Sequence, residues 1–169
     1  MGDAVFQLAY VTQDIERAIA EFGAAFGIGQ FQVNRDVPIV TGNGMACCHF
    51  ALAFLGVQQI ELIEPAGGAD GVYRDALAPG RVAALHHLGF LVPTETAWQA
   101  TLQRIEAAGE AVPVRGSFGE LMHYAYVDRR DLCGHYLEYM YATPAGAGLF
   151  DAVPRYPAAS PQFLRAIPA

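Results

Sequence analysis

The chain contains no lysine. All ten basic residues are arginines, scattered singly or in one adjacent pair, against seventeen acidic residues, and the net charge is -7. Without a basic cluster, nucleic acid and anionic membrane are poor partners for it, so a small-molecule partner is expected. Cysteine is scarce as well. Cys47 and Cys48 are adjacent and Cys133 is distant, an odd set of three unlike a disulfide framework, which points to a reduced cytoplasm. No run of about 20 apolar residues exists to form a transmembrane helix. The opening "MGDAVFQLAY" carries neither the basic segment nor the cleavage pattern of an export signal, so a cytoplasmic location is expected.

What is present is apolar content: 53% of 169 residues, enough for one domain or two small fused modules with a sizeable core. An internal repeat favours the modules. "FQLAYV" at 6–11 and "HHLGFLV" at 86–92 are short apolar strands broken by a polar residue near the start, and each leads into a helical pattern. The first helix is expected from Asp14 to about Phe26, with Ile15, Ala18, Ile19, Phe22 and Phe26 on one face, Thr12 as cap and Gly27 as stop. The second runs from about Thr96 to Ala108, with Trp98, Leu102 and Ile105 as its stripe, a cap at Thr94 or Thr96, and Gly109 beyond. Three strand-like segments follow each helix: about 30–36, 45–54 and 57–64 in the first half, and 112–117, 121–128 and 135–142 in the second.

Each half thus reads as βαβββ, and the fold class is α+β: two tandem modules forming a curved mixed sheet around a cleft. The expected division is a first module over 1–68, a linker over 69–83, a second module over 84–143 and a C-terminal extension over 144–169. That extension, rich in Pro, Ala and Gly, is expected to be an extended arm with one helical turn around Leu149 to Val153.

The repeat also pairs polar residues. Gln7 precedes Glu61 by 54 positions and His87 precedes Glu138 by 51, so in both halves a polar residue on the first strand recurs with a glutamate on the fourth. Strand alternation turns Phe6, Leu8 and Tyr10 toward the first helix and Gln7 away from it. It likewise sets Tyr136, Glu138 and Met140 opposite Leu137 and Tyr139. Gln7, Glu61, His87 and Glu138 can therefore converge on one cleft as ligands of a divalent metal of borderline character: zinc, nickel, cobalt or manganese. Such a metal polarises a carbonyl, and Glu138 or Glu61 supplies a base for proton transfer beside it. Taken singly, each residue has a plainer reading, as a hydrogen-bonded core histidine or a solvent-facing strand glutamate. Their equivalent repeat positions are what argue for a site.

In order and spacing, "FQLAYVTQDIERAIAEF", "QQIELIEP", "LHHLGFLV" and "DLCGHYLEY" resemble the vicinal oxygen chelate superfamily, which includes glyoxalase I, methylmalonyl-CoA epimerase, extradiol dioxygenases and bleomycin-resistance proteins. The resemblance spans about residues 4–142 and places the family's ligands on Gln7, Glu61, His87 and Glu138. It implies a glyoxalase I-like or epimerase-like lyase or isomerase, and a homodimer. A metal-free, antibiotic-type binding protein is the alternative it leaves open, and Gln7 argues against a dioxygenase, which places histidine there. Val11 and Pro65 stand where an Arg and an Asn would hold glutathione, and nothing resembles a phosphate-binding cluster for coenzyme A. The substrate pocket is expected from His123, Tyr124, Tyr126, Tyr136 and Met140, which suits a small apolar or aromatic carbonyl compound.

Overall fold

A computed structural model describes residues 4–158. The first half contains β1 (Gln7–Thr12), α1 (Ile15–Phe26), β2 (Gln32–Thr41), β3 (Gly44–Leu55) and β4 (Gln58–Gly68). A connector bearing the single turn α2 (Gly71–Arg74) leads to β5 (Ala83–Leu91), α3 (Glu95–Ala107), β6 (Val114–Phe118), β7 (Met122–Arg129), the turn α4 (Arg130–Cys133) and β8 (His135–Ala142). A two-residue strand, β9 (Arg155–Tyr156), comes last. Among the described residues, no helix is long and apolar enough to cross a membrane.

The strands form one sheet in the order β2-β6-β7-β8-β5-β1-β4-β3-β9, and β2 also pairs with β3, so eight strands close on themselves. Within each half, the first and last strands pair in parallel, β1 with β4 and β5 with β8. The halves meet along the antiparallel pair β1–β5 on one side. On the other side they meet at a single pair, Val40 with Ser117. This is the α+β arrangement of two βαβββ runs and a curved sheet expected from the repeat.

Three apolar clusters follow from strand alternation. One fills the barrel, with Ala9, Val11, Ile63, Tyr126 and Met140 among its buried members. A second packs α1 against the outer face of the first half through Ile15, Ala18 and Leu62, and a third seats Trp98 of α3 against Ala125 and Tyr141. Leu8 and Tyr10 face α1 as expected. Phe6 does not. It precedes β1 and sets its ring 5.8 Å from Phe54 and 5.3 Å from Phe150, on the barrel side.

Local signals place the helices, with one correction. Asp14, not Thr12, caps α1: its Oδ1 accepts the Arg17 amide at 2.9 Å, and Gly27 closes the helix at φ 70°. The Thr12 hydroxyl instead donates to the Val82 carbonyl at 2.7 Å, tying the strand to the connector. Thr94 caps α3 through the Ala97 amide.

β2 runs on to Thr41, past the expected end at 36. A bulge at Asp36 (φ 53°) absorbs the kink, and Pro38 is tolerated because β2 pairs with β6 only at Val40. The expected linker is more than a spacer, since Tyr73 of α2 is 2% exposed in the barrel core. The C-terminal segment forms a 3-10 turn at Pro144–Gly146 and hydrogen-bonded turns from Gly148 to Val153, then pairs β9 in parallel with Phe54 and Leu55 of β3. The rest of the expected extension, 159–169, lies outside the described residues.

Candidate active site

Two neighbouring rows cross the four central strands. One reads Glu61, Ala9, His87, Tyr136 from β4 through β1 and β5 to β8, and the other reads Gln59, Gln7, Gly89, Glu138. Each row has one small residue, and those two leave the space into which the larger side chains turn. At Gly89 a Cβ would stand 2.9 Å from both the Gln7 Cβ and its Oε1, so the bare position opposite Gln7 is what lets its amide lie there.

The four expected ligands come together. His87 Nε2 lies 2.9 Å from Glu138 Oε2, 3.1 Å from Gln7 Oε1 and 3.6 Å from Glu61 Oε2. His87 is fully buried, the Glu138 side chain 5% exposed and that of Glu61 13%. His87 contacts both glutamates directly, and among the described residues no group of three or more His, Cys, Asp or Glu is arranged to hold a metal ion.

The orientations of the polar groups are fixed from behind. Gln7 Nε2 donates to Gln59 Oε1 at 2.7 Å, which turns Gln7 Oε1 toward His87. β5 carries a bulge, for Ala9 pairs with His87 and Tyr10 with Leu85, so His86 is skipped and both imidazoles are buried side by side. His86 Nε2 donates to the Val72 carbonyl at 3.0 Å, leaving its Nδ1 to accept from His87 Nδ1 at 2.8 Å. With its proton on Nδ1, His87 aims the Nε2 lone pair at the Glu138 carboxyl, which can donate to it when protonated, and at the Gln7 amide oxygen, which cannot.

Burial sets the charge states. It pushes Glu138 up to about 8, against a smaller opposing hydrogen bond from Tyr126, and holds Glu61 well above the usual carboxyl range with the Glu138 charge adding to it. Burial drives His87 down to about 3 and His86 well below its ordinary value. The Tyr126 hydroxyl in turn lies 3.1 Å from that of Tyr73.

By the chemistry of its donors, though not by their present spacing, the set suits a divalent metal. A neutral imidazole nitrogen, an amide oxygen and two carboxyl groups converge, with no arginine beside them among the described residues, so a dication would offset two acids whose ionisation burial opposes. Gln7, Glu61, His87 and Glu138 would hold it.

Gln7, Glu61 and Glu138, with His87 buried behind them, line a cavity of about 190 Å³, whose walls include Tyr73, Tyr124, Tyr126, Phe50, Phe118 and Met140. Three of the expected pocket residues, Tyr124, Tyr126 and Met140, line it. His123 and Tyr136 do not. His123 has the opposite alternation to Tyr124, points outward and stacks on Tyr141, with ring centres 6.5 Å apart. Tyr136 shares the inward face but packs behind the imidazoles, 5.1 Å from His86, with the Arg130 guanidinium over its outer face.

Sequence reasoning missed Gln59, Tyr73 and Phe150. Gln59 was visible in principle, since it lies two residues before Glu61 and so on the same face. Tyr73 sits on a lone turn in the connector, and Phe150, which lines the cavity, sits in a Gly/Pro-rich segment, where no periodicity marks either.

Fold and site together define a double-βαβββ barrel with a polar centre at the joint of its halves. A family model described as the Glyoxalase/Bleomycin resistance protein/Dioxygenase superfamily matches residues 6–126, and the chain belongs to that superfamily. Among solved structures it is similar to a methylmalonyl-CoA epimerase in complex with methylmalonyl-CoA and NH4+ (17% identity, 85% of this chain and 96% of that one, TM-score 0.55). The methylmalonyl-CoA epimerase of Mycobacterium tuberculosis is similar at 14% identity, 88% and 96% coverage and a TM-score of 0.56. A hypothetical protein from Bacillus halodurans C-125 is similar at 16% identity, 85% and 96% coverage and 0.55. At these identities the likeness is one of fold. The comparison with curated proteins returns no match.

Proposed function

We propose that this protein is a metal-dependent lyase, isomerase or epimerase that moves a proton next to a carbonyl of a small, apolar or aromatic substrate. The observation that carries the reading is the convergence of His87 Nε2 with the Gln7, Glu61 and Glu138 oxygens beside an apolar cavity. Gln7, Glu61, His87 and Glu138 would hold the metal, zinc foremost. When bound, it would supply Lewis acidity to a substrate oxygen.

The rest belongs to the chain's own side chains. Glu138, buried at the centre of the cluster and hydrogen-bonded by Tyr126, is placed to take and return a proton at Oε2, and a bound metal would keep it ionised as a base. Glu61, more open to the cavity, is the second candidate for that role. Gln59 holds the Gln7 amide and His86 holds His87, so neither turns its donor away. The tyrosine and phenylalanine walls exclude water from the reacting carbon. Epimerisation beside a thioester carbonyl, the activity named for two of the structural neighbours, is chemistry of this kind. Coenzyme A itself fits poorly, because among the described residues no arginine lines the cavity and 190 Å³ has no room for a nucleotide.

The test pairs metal content with proton exchange. Elemental analysis of purified protein is expected to find close to one divalent metal per chain. In D2O the zinc-loaded protein should exchange the C–H beside the carbonyl of 2-hydroxyacetophenone, followed by NMR. Glu138→Gln should slow that exchange by about 10²–10⁴-fold with an unchanged circular dichroism spectrum. Metal-free protein whose ligand binding ignores chelators would overturn the reading in favour of a binding protein.

A further inference from the structure

The β2 wall of the cavity, two strands from Glu61, carries an unmet hydrogen bond. Gln32 and Asn34 of β2 both line the cavity, and Gln32 Nε2 donates to Asn34 Oδ1 at 3.5 Å, while Gln32 Oε1 is buried with no hydrogen-bond partner among the described residues. Leaving such an acceptor unpaired is costly, and native proteins keep few of them. Register fixes where it stands. Gln32 pairs with Leu52, and Leu52 with Glu61, so the amide is two strands from Glu61 along the same wall, about 9–10 Å between backbones.

Between Gln32 and Glu61 the wall is apolar, with Leu52, Phe50, Ile39 and Met122 among its residues. Among the described residues no arginine lines it and the sequence has no lysine, so nothing there answers a carboxylate or phosphate. The volume suits one ring, since a cavity of about 150 Å³ accepts benzene.

We infer that Gln32 receives a hydrogen bond from a neutral hydroxyl or N–H group on the part of the substrate remote from the reacting carbon. The substrate class is then a small uncharged carbonyl compound, with a one-ring body and a distal donor, lying along the wall from Glu61 to Gln32. The assignment rests on the proposed function only for which end of the molecule faces the carboxylates.

Two probes separate the ends: 2-hydroxyacetophenone, and the same compound with a para-hydroxyl on its ring, titrated calorimetrically at pH 6.5 with and without zinc. The para-hydroxyl should tighten binding to the wild-type protein about tenfold, and Gln32→Leu or Gln32→Met should bring that ratio to near one. Equal affinities in the wild type, no binding of either probe, or a tenfold ratio that survives both substitutions would overturn the inference. Loss of zinc should weaken both probes alike. If it does not while the ratio still follows Gln32, the metal reading fails and the role of Gln32 stands.

Discussion

His86 contributes nothing to the donor set, yet it decides which nitrogen of His87 enters it. Its Nε2–H is used on the Val72 carbonyl, so its Nδ1 can only accept, and His87 has to carry its proton on Nδ1. Were that partner lost, the His87 Nε2 could take the proton and present a donor to Glu138, blocking the lone pair a metal needs. His86→Phe keeps a flat ring in the space among Tyr73, Tyr126 and Tyr136 but has no acceptor. Nitrogen-15 NMR of the metal-free wild-type protein should find the His87 proton on Nδ1, and in His86→Phe on Nε2. Zinc affinity, measured by chelator competition, should fall by about 10–100-fold. An unchanged tautomer in the variant would reduce His86 to a packing residue.

Secondary elements were legible in the sequence wherever period and punctuation agreed. The repeat placed both helices, the last strand of each half and the equivalence of Gln7 with His87, because amphipathic stripes ending at Gly27 and Gly109 are local signals. Closure of the barrel was not legible. It depends on β2 running through Pro38 to reach β6, and on Gly116, where a Cβ would stand 2.1 Å from the Val40 carbonyl oxygen and 2.5 Å from the Tyr124 ring. The bulge that buries both His86 and His87 was likewise hidden, since alternation alone puts adjacent residues on opposite faces. At the seam the Tyr124 hydroxyl donates to that same Val40 carbonyl at 2.8 Å. Gly116→Ala should therefore force β2 and β6 apart and destabilise the protein by about 1–3 kcal/mol in thermal or denaturant unfolding. The donor cluster sits at the opposite joint, β1–β5, so zinc affinity should be unchanged. A variant as stable as wild type would mean that the seam carries little of the barrel's stability.

For the molecule as a whole, two buried acids and two buried imidazoles tie stability to pH in opposite senses. Glu138 keeps its proton up to about 8 in the folded chain and releases it near 4.5 when unfolded, and Glu61 shifts in the same direction. The Glu138 contribution is fully present below 4.5 and is lost as pH rises toward 8, and that of Glu61 falls with rising pH in the same sense. His87 is neutral in the folded chain down to about 3 but takes up a proton near 6.5 on unfolding, so its contribution is present above 6.5 and lost as pH falls; His86 acts in the same sense. Between 6.5 and 8 only the carboxyls act. Metal-free protein should lose stability across that window, at most on the order of 1.4 kcal/mol per pH unit for each carboxyl that stays protonated. A bound dication would keep both acids ionised in the folded state, removing the proton difference and with it the slope. Thermal unfolding at pH 6.5, 7.0, 7.5 and 8.0, with chelator and with zinc, reads both cases. A falling midpoint with chelator that levels off with zinc ties the buried acids to the metal; parallel curves would mean that the cluster does not take up zinc through Glu61 and Glu138.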